Sequence, residues 1–513
     1  MVFTHRFALS AASVLSIASF VVTPAFAQSP AQADILQRLE RLERNQAELE
    51  RQIKERDDRI DELESELHER KQADGAVPAR AKDAVVDAPV PTAPTSSAEP
   101  AAGTGVASEK KQGEYYGEYA GGRGFRVAKT KYGDVWLSAY TYARYLNQKA
   151  LDNGYTDDFN RSFEVDQRND VQVNKVILYM KGWVYDPDLR YVLYTWSANT
   201  SQGQSAQVVV AGYLSYHVND ALNLGAGISG LPTVRSNRGL WPYQLKVDHR
   251  TLADEYFRGS YTSGFWAEGR LAEGLKYKVM IGNNLSQLGI DAVQLDDGFS
   301  TVSGSLWWMP TTGEYGFRES FGDFDHHEQV ATTLGMQFTF SPEDRQSQPG
   351  QDDPDNSQIR LSDGTRLFSA DAFGTGTQVD KAKYYMTSLD AGMKYKGWSL
   401  EGEYYFRWLN DLSTTGPPPP DDAFFDHGFQ LQASTMLLPK TLQLFGTGSV
   451  VFGEYGEPWD ASVGLNWYPL KRQEFRATFE TIYLDESPVG YASIPLVVGG
   501  KGPVFHTNLE LIF

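Results

Sequence analysis

The feature that most constrains the fold is a long series of short segments in which apolar and polar residues alternate. In one segment Val176, Leu178 and Met180 alternate with Lys175 and Lys181. A period of two with one polar face is typical of a half-buried β-strand. About sixteen such segments follow residue 113. The pattern therefore predicts an all-β protein.

The connections between these segments alternate in length. Short turns are predicted at Asp186-Pro187, Asn219-Asp220, Ala272-Glu273, Lys396-Gly397, Pro439-Lys440 and Pro469-Leu470. Between them lie mostly longer connections, at 148–168, 231–257, 284–300, 341–382, 411–427 and 485–503. Short turns at one end and long loops at the other are typical of a transmembrane antiparallel β-barrel. A large sandwich or propeller is disfavoured, because the loops are long and no repeat of propeller length is found.

One connection breaks this alternation and leaves the strand number open. Residues 310–328 stand where a short turn is expected. They are either an enlarged turn, which gives a barrel of about 16 strands, or a missed strand pair, which gives 18. The last strand alternates up to the carboxy-terminal Phe513, and such an ending resembles the assembly signal of outer-membrane barrels.

The region before the barrel is predicted to contain three different segments. Residues 1–27 form a signal peptide, with a short basic start, an apolar run and Ala25-Phe26-Ala27 as a cleavage site. Residues 34–70 carry apolar residues at steps of four and three over about five heptads, which predicts a coiled-coil helix. Residues 71–112, rich in Ala and Pro, form a flexible linker. The barrel then occupies residues 113–513.

Composition excludes several function classes. With 47 basic and 66 acidic side chains the formal net charge is −19, which argues against a nucleic-acid partner. The absence of cysteine excludes disulfides, thiolate metal sites and cysteine nucleophiles. The glycine motif Gly225–Gly230 is followed by Leu231-Pro232 rather than by a helix, so it does not predict a dinucleotide site. We therefore expect no enzyme, no cofactor and no metal.

Basic residues dominate the predicted inner face of the barrel. By alternation against apolar partners, seven basic side chains face the lumen against four acidic ones, Asp390, Glu401, Glu403 and Glu480. The basic set comprises Lys175, Lys181, Lys276, Lys278, Lys394, Arg407 and Arg476. If the connection 231–257 folds into the lumen, its Arg235, Arg238, Lys246 and Arg250 would form a constriction. Rings of Lys and Arg favour anions, and the planar arginine fork matches oxyanions.

One stretch of the sequence resembles the phosphate-selective porin O/P family. The resemblance rests on Leu231–Ser236, Asp254–Arg258 and Gly264–Gly269, together with the order of signal, N-terminal extension and barrel. It implies a homotrimeric 16-stranded barrel in the bacterial outer membrane, with an inward third loop and basic lumen residues that guide anions. It carries over most directly to Arg235. The coiled coil departs from the shortest members and fits a three-stranded rod in the periplasm.

The sequence thus predicts an outer-membrane porin for passive diffusion of small anions, with phosphate as one candidate. The expected partners are outer-membrane lipid, two further copies of the chain and a small anionic solute. Two alternatives stay open. The porin could pass neutral or organic solutes that stack on lumen aromatics such as Tyr179. The coiled coil could also tether the barrel to peptidoglycan or other periplasmic material.

Overall fold

The computed structural model describes residues 117–198, 207–238, 241–259, 261–285, 298–345, 359–490 and 494–513, together with Arg51. The predicted signal peptide and linker, and the predicted coiled coil apart from Arg51, lie outside the described residues. Within the described ranges no helix has the length and apolarity needed to cross a membrane.

Sixteen strands of the described chain close into an antiparallel barrel. Each pairs with the next along the chain, and β20 returns to pair with β3. The barrel strands are β3 (Gly133–Asn147), β6 (Asn169–Val184), β7 (Asp186–Ala198), β8 (Gln207–Asn219), β9 (Leu222–Gly230), β10 (Tyr261–Ala272), β11 (Leu275–Gly282), β12 (Thr301–Trp308), β13 (Ala331–Asp344), β14 (Gln378–Tyr395), β15 (Trp398–Thr415), β16 (Phe424–Leu438), β17 (Leu442–Phe452), β18 (Trp459–Trp467), β19 (Phe475–Asp485) and β20 (Gly502–Ile512). The short strands β4 (Gly154–Thr156) and β5 (Ser162–Glu164) form a separate hairpin.

Both ends of the barrel region take part in closure. Two further strands precede the barrel, β1 (Tyr119–Ala120) and β2 (Gly124–Thr130). β2 pairs with the first residues of β3, and β20 pairs with the later residues of the same edge. Between them, Ala139 and Phe513 exchange backbone hydrogen bonds of 2.7 and 3.0 Å. β2 and β20 therefore lie end to end along the same edge of β3.

The connections confirm the predicted alternation and decide the strand number. Short connections at 185, 220–221, 273–274, 396–397, 439–441 and 468–474 lie at one end of the barrel, which we call the turn end. The opposite, loop end carries the longer connections, including 148–168, 231–260 and 345–377. Residues 309–330 are an enlarged connection at the turn end, containing one short 3-10 turn and no strand. The 18-strand alternative is therefore wrong.

Side chains alternate between an apolar outer surface and a polar interior. On β15, Leu400 and Trp408 are 47% and 40% exposed on the outside. The inward residues Glu401, Glu403 and Arg407 on the same strand are buried. A water-soluble barrel would show the reverse arrangement, whereas a barrel surrounded by hydrocarbon shows this one.

The interior is filled on one side by the connection 231–260, which we call loop 3. Its helix α1 (Leu252–Phe257) is buried throughout and packs on β16, β17 and β18. The barrel wall satisfies the amide groups at the start of this helix, because Leu252 donates to Asp460 (3.2 Å) and Ala253 donates to Ser449 (2.9 Å). Loop 3 therefore folds into the lumen and is held there by the wall.

Candidate functional site

A cavity of about 650 Å³ remains between loop 3 and the wall formed by β7 to β12. It extends from Asp220 and Arg270 near the turn end to Gly230 and Tyr261 near the loop end. Seven basic side chains line it, Arg190, Arg238, Arg250, Arg270, Lys276, Lys278 and Arg318. The acidic side chains that line it are Asp220, Glu268 and Glu319. The cavity is therefore lined mainly by positive charge, although the chain is acidic.

Loop 3 contributes two arginines to this cavity. Arg238 binds Asp390 of β14 at 2.7 Å and lies over the ring of Trp307, 5.2 Å from its centroid. Arg250 donates to the Ser236 hydroxyl at 2.8 Å, and its nearest carboxylate oxygen, on Glu255, is 3.4 Å away. Both side chains are positioned by neighbours within the lumen and both border the open space.

The wall contributes two lysines from β11. Lys276 forms a 2.6 Å ion pair with Glu319 of the enlarged turn-end connection. Lys278 donates to the Ser229 hydroxyl at 3.0 Å, and Glu268 is more distant, at 3.8 Å. Lys278 also lies 5.3 Å from the centroid of Trp266. Of the two, Lys278 has the looser carboxylate partner.

Arg235 and Lys246, which the sequence places in the constriction, instead anchor loop 3. Arg235 is 2% exposed and forms an ion pair with Glu401, and its backbone amide donates to Glu403 at 3.0 Å. Lys246 is equally buried and lies 3.2 Å from Glu480. Both face away from the cavity, so we assign them no direct contact with solute.

Arg407 and Arg476 hold loop 3 from the side of the wall. Arg407 pairs with Asp426 and donates to the hydroxyl of Tyr256 in α1. Arg476 pairs with Glu510 at 2.5 Å and donates to the backbone carbonyl of Gln244. Both point inward, in agreement with the predicted face, but loop 3 covers them. Sequence periodicity predicts which face of a strand a side chain lies on. It does not predict which other segment covers that side chain.

Lys175 and Lys181 on β6 have different partners. Lys175 binds Asp248 of loop 3 at 2.5 Å. Lys181 donates to the backbone carbonyl of Gly122 at 2.9 Å. Lys175 therefore joins the anchors, whereas Lys181 lies at the turn end beside the N-terminal segment.

The buried charges of α1 have shifted pKa values. Burial alone would raise the pKa of Glu255, but Arg258 and Arg250 lower it to about 2. Burial raises the pKa of the neighbouring Asp254 to about 6. Asp254 accepts a 2.9 Å hydrogen bond from Ser236. Glu255 is thus kept ionised beside Arg258 and the cavity residue Arg250.

His249, Glu480 and His506 bring three atoms that could bind a metal, two imidazole nitrogens and one carboxylate oxygen, together in the packed interior. Both histidine Nε2 atoms lie 3.1 Å from the same Glu480 oxygen. Asn508 accepts from Arg144 through Oδ1, so its amide nitrogen donates to His506 Nδ1 at 2.8 Å. A neutral His506 then carries its proton on Nε2, the nitrogen nearest Glu480. This hydrogen-bonding pattern fits an anchor of loop 3 and does not fit a metal ligand.

Sequence reasoning missed several cavity residues. Arg318 lies in the connection 309–330, whose unexpected length was the available signal. Arg190 and Arg270 lie near the turn ends of their strands. Six aromatic side chains also border the cavity, Tyr213, Trp241, Tyr261, Trp266, Tyr277 and Trp307.

Comparison with known proteins gives fold likenesses at low identity. No protein-family model and no curated protein sequence matches the chain. Among solved structures, the Vibrio cholerae outer membrane protein OmpT is 9% identical, with 74% of this chain and 100% of that chain covered and a TM-score of 0.46. The outer membrane channel DcaP of Acinetobacter baumannii is 10% identical, with 76% and 99% covered and a TM-score of 0.45. An anion-selective porin from Comamonas acidovorans is 10% identical, with 74% and 99% covered and a TM-score of 0.42.

Proposed function

We propose that the protein is an outer-membrane porin that passes small anions by passive diffusion, with phosphate as one candidate solute. The observation that carries the proposal is the cavity lining, with seven basic side chains against three acidic ones. A lining of this charge lowers the free energy of an anion and raises that of a cation.

The apolar outer surface supports placement in a membrane. Outward residues such as Leu400, Val463 and Leu509 are 47%, 57% and 53% exposed, and water would make such a surface costly. The predicted signal peptide at 1–27 supports export. Together they favour the bacterial outer membrane, with the turn end toward the periplasm.

The mechanism follows from how tightly each cavity cation is held. Arg250 and Lys278 have carboxylate partners at 3.4 and 3.8 Å, so their donors can turn toward a passing anion. Each would replace part of the anion's hydration shell. Because the sites are several and individually weak, the anion leaves as readily as it enters.

The test is the zero-current potential of the purified full chain in a planar bilayer under a KCl gradient, with phosphate then added. We expect anion selectivity and block of chloride current by phosphate. R250Q and K278Q should each shift the potential toward cation selectivity, because each removes a positive charge from the cavity. K149Q, which removes a charge from an exposed loop-end residue, is the control. Cation selectivity of the unaltered protein would overturn the proposal.

The six aromatic side chains of the cavity favour a second candidate, a porin for neutral or organic solutes. Rings can stack on sugar faces or planar molecules. Neutral sugars would then block the current, whereas phosphate would not. The same bilayer apparatus therefore separates the two candidates.

We further propose that the chain is a homotrimer whose segment 34–70 forms a three-stranded rod in contact with periplasmic material, peptidoglycan included. The heptad repeat supports this assembly. Deletion of 34–70 should leave single-channel conductance unchanged. Envelope blebbing in the deletion strain would support a tether, and a normal envelope would contradict it.

A further inference from the structure

Four segments that are distant in sequence meet at the turn end of the lumen. The first is the turn 121–123 between β1 and β2, which we call the N-terminal turn. The others are β6 with Lys181, loop 3 with Tyr243, and the connection 309–330 with Phe317 and Arg318. Phe317 and Tyr243 pack edge to face, with their ring centroids 4.9 Å apart.

Two cations at this junction share one neutral oxygen. Lys181 Nζ donates to the carbonyl oxygen of Gly122 at 2.9 Å, and Arg318 Nη2 donates to the same oxygen at 3.2 Å. The two positive groups are therefore close neighbours. Within the described part of the chain neither of them has a carboxylate oxygen within ion-pair distance.

Three inward arginines of the lumen differ from this arrangement, whereas Lys394 also donates to backbone carbonyls, those of Tyr315 and Ser320. Arg235, Arg407 and Arg476 are each paired with a carboxylate. A carbonyl dipole satisfies hydrogen bonding but does not cancel two like charges. A small oxyanion would accept hydrogen bonds from both cations and would also neutralise their charge, because it offers several acceptor oxygens and a negative charge.

We propose that Lys181 and Arg318 form an oxyanion site whose bound anion displaces the carbonyl of Gly122 and so releases the N-terminal turn. Arg318 borders the cavity, so an anion can reach the site from the lumen. The site goes beyond the proposed function, because it requires anion binding at the turn end and not overall anion selectivity. Through Tyr243 it also links the N-terminal segment to loop 3.

The N-terminal turn is closely packed against the residues around the two cations. Gly122 has φ +71°, and a Cβ atom there would lie 2.9 Å from Phe317. The backbone is therefore closely packed on the ring beneath it. An anion bound between the two cations would take the position of the carbonyl oxygen that both of them now contact.

Hydrogen exchange of the purified full chain tests the displacement, with inorganic phosphate as the probe and chloride at matched ionic strength as the reference. The Arg123 amide donates to the Ala120 carbonyl at 3.0 Å within the turn. We expect phosphate to speed exchange of peptides covering 117–123. One released charge-assisted hydrogen bond corresponds to about a tenfold faster exchange.

Variants separate this site from other anion contacts. K181Q and R318Q should each exchange faster without phosphate and should lose the response to phosphate. R190Q, which removes a cavity cation with no contact to the turn, should keep the response. G122A should displace the turn and so tighten phosphate binding in calorimetric titration, the opposite direction from K181Q.

Unchanged exchange of 117–123 in the unaltered protein with phosphate would overturn the proposal. So would a phosphate response that persists in both K181Q and R318Q. Since these readouts do not involve current, they can fail while the channel is anion-selective. Equally, the exchange response can be found in a channel whose zero-current potential shows no anion preference.

Discussion

The two sides of the barrel interior use the same residue types in opposite ways. On the side of β13 to β20 and β3, Arg407 and Arg476 of the wall and Arg235 of loop 3 are buried and paired with carboxylates. The buried Lys394 of β14 donates to the backbone carbonyls of Tyr315 and Ser320. On the side of β7 to β12, basic residues border the 650 Å³ cavity. Arg238, Lys276 and Arg270 have carboxylate partners at 2.5–2.7 Å, whereas those of Arg250 and Lys278 are at 3.4 and 3.8 Å. We call these the packed side and the open side. A lumen-facing charge is therefore a structural element on one side and a candidate solute contact on the other.

The largest expected effect comes from breaking an ion pair on the packed side. R235A would leave Glu401 buried without its cationic partner, at a cost of about 3–5 kcal/mol in the free energy of unfolding. Urea unfolding of the protein refolded into vesicles measures this. K276A is the matched variant on the open side, because it breaks the partly exposed pair with Glu319, whose side chains are 28% and 17% exposed, and should cost about 1 kcal/mol. Equal losses in the two variants would contradict the division into two sides.

A smaller effect is expected from filling a glycine position on the open side. Gly225 of β9 faces inward, and a Cβ atom there would lie 2.0 Å from the ring of Trp266. G225A should move that ring toward the cavity, cost about 1–3 kcal/mol and lower the single-channel conductance. G446A is the control, since its nearest atom would be 3.6 Å away. An unchanged conductance in G225A would show that Trp266 does not limit the channel.

The smallest expected effect is a pH dependence of the connection 309–330. Burial alone would lower the pKa of His327, but its hydrogen bond with Asp323 raises it above the ordinary value. The protonated pair therefore stabilises the connection fully below about pH 6.5, and this contribution is lost as the pH rises through the raised pKa. Hydrogen exchange of 309–330, corrected for the intrinsic pH dependence of exchange, should show more opening above that range. In H327Q the corrected exchange should not change with pH, and a persistent change would exclude His327 as its cause.

Much of the barrel could be predicted, because strand faces and connection lengths depend on residues that are close together in the sequence. The period of two gave the inward faces of Lys278 and Arg407, and connection lengths separated the two ends. The partners of those side chains could not be predicted. Arg235 meets Glu401 across the lumen only because loop 3 folds inward. Whether a charge is free or neutralised is set by such long-range contacts, and neither periodicity nor resemblance contains them.

The junction of β2, β20 and β3 also sets the order in which the barrel can be completed. Phe513 forms backbone hydrogen bonds with Ala139 of β3. This position is directly beyond the part of β3 that pairs with β2. Until the C-terminal strand arrives, the sheet has two open edges with unpaired backbone groups, which are prone to pair with other chains. Closure therefore depends on the C-terminal strand, because β20 covers residues 140–147 of the β3 edge and β2 covers the rest of that edge only as far as Leu137.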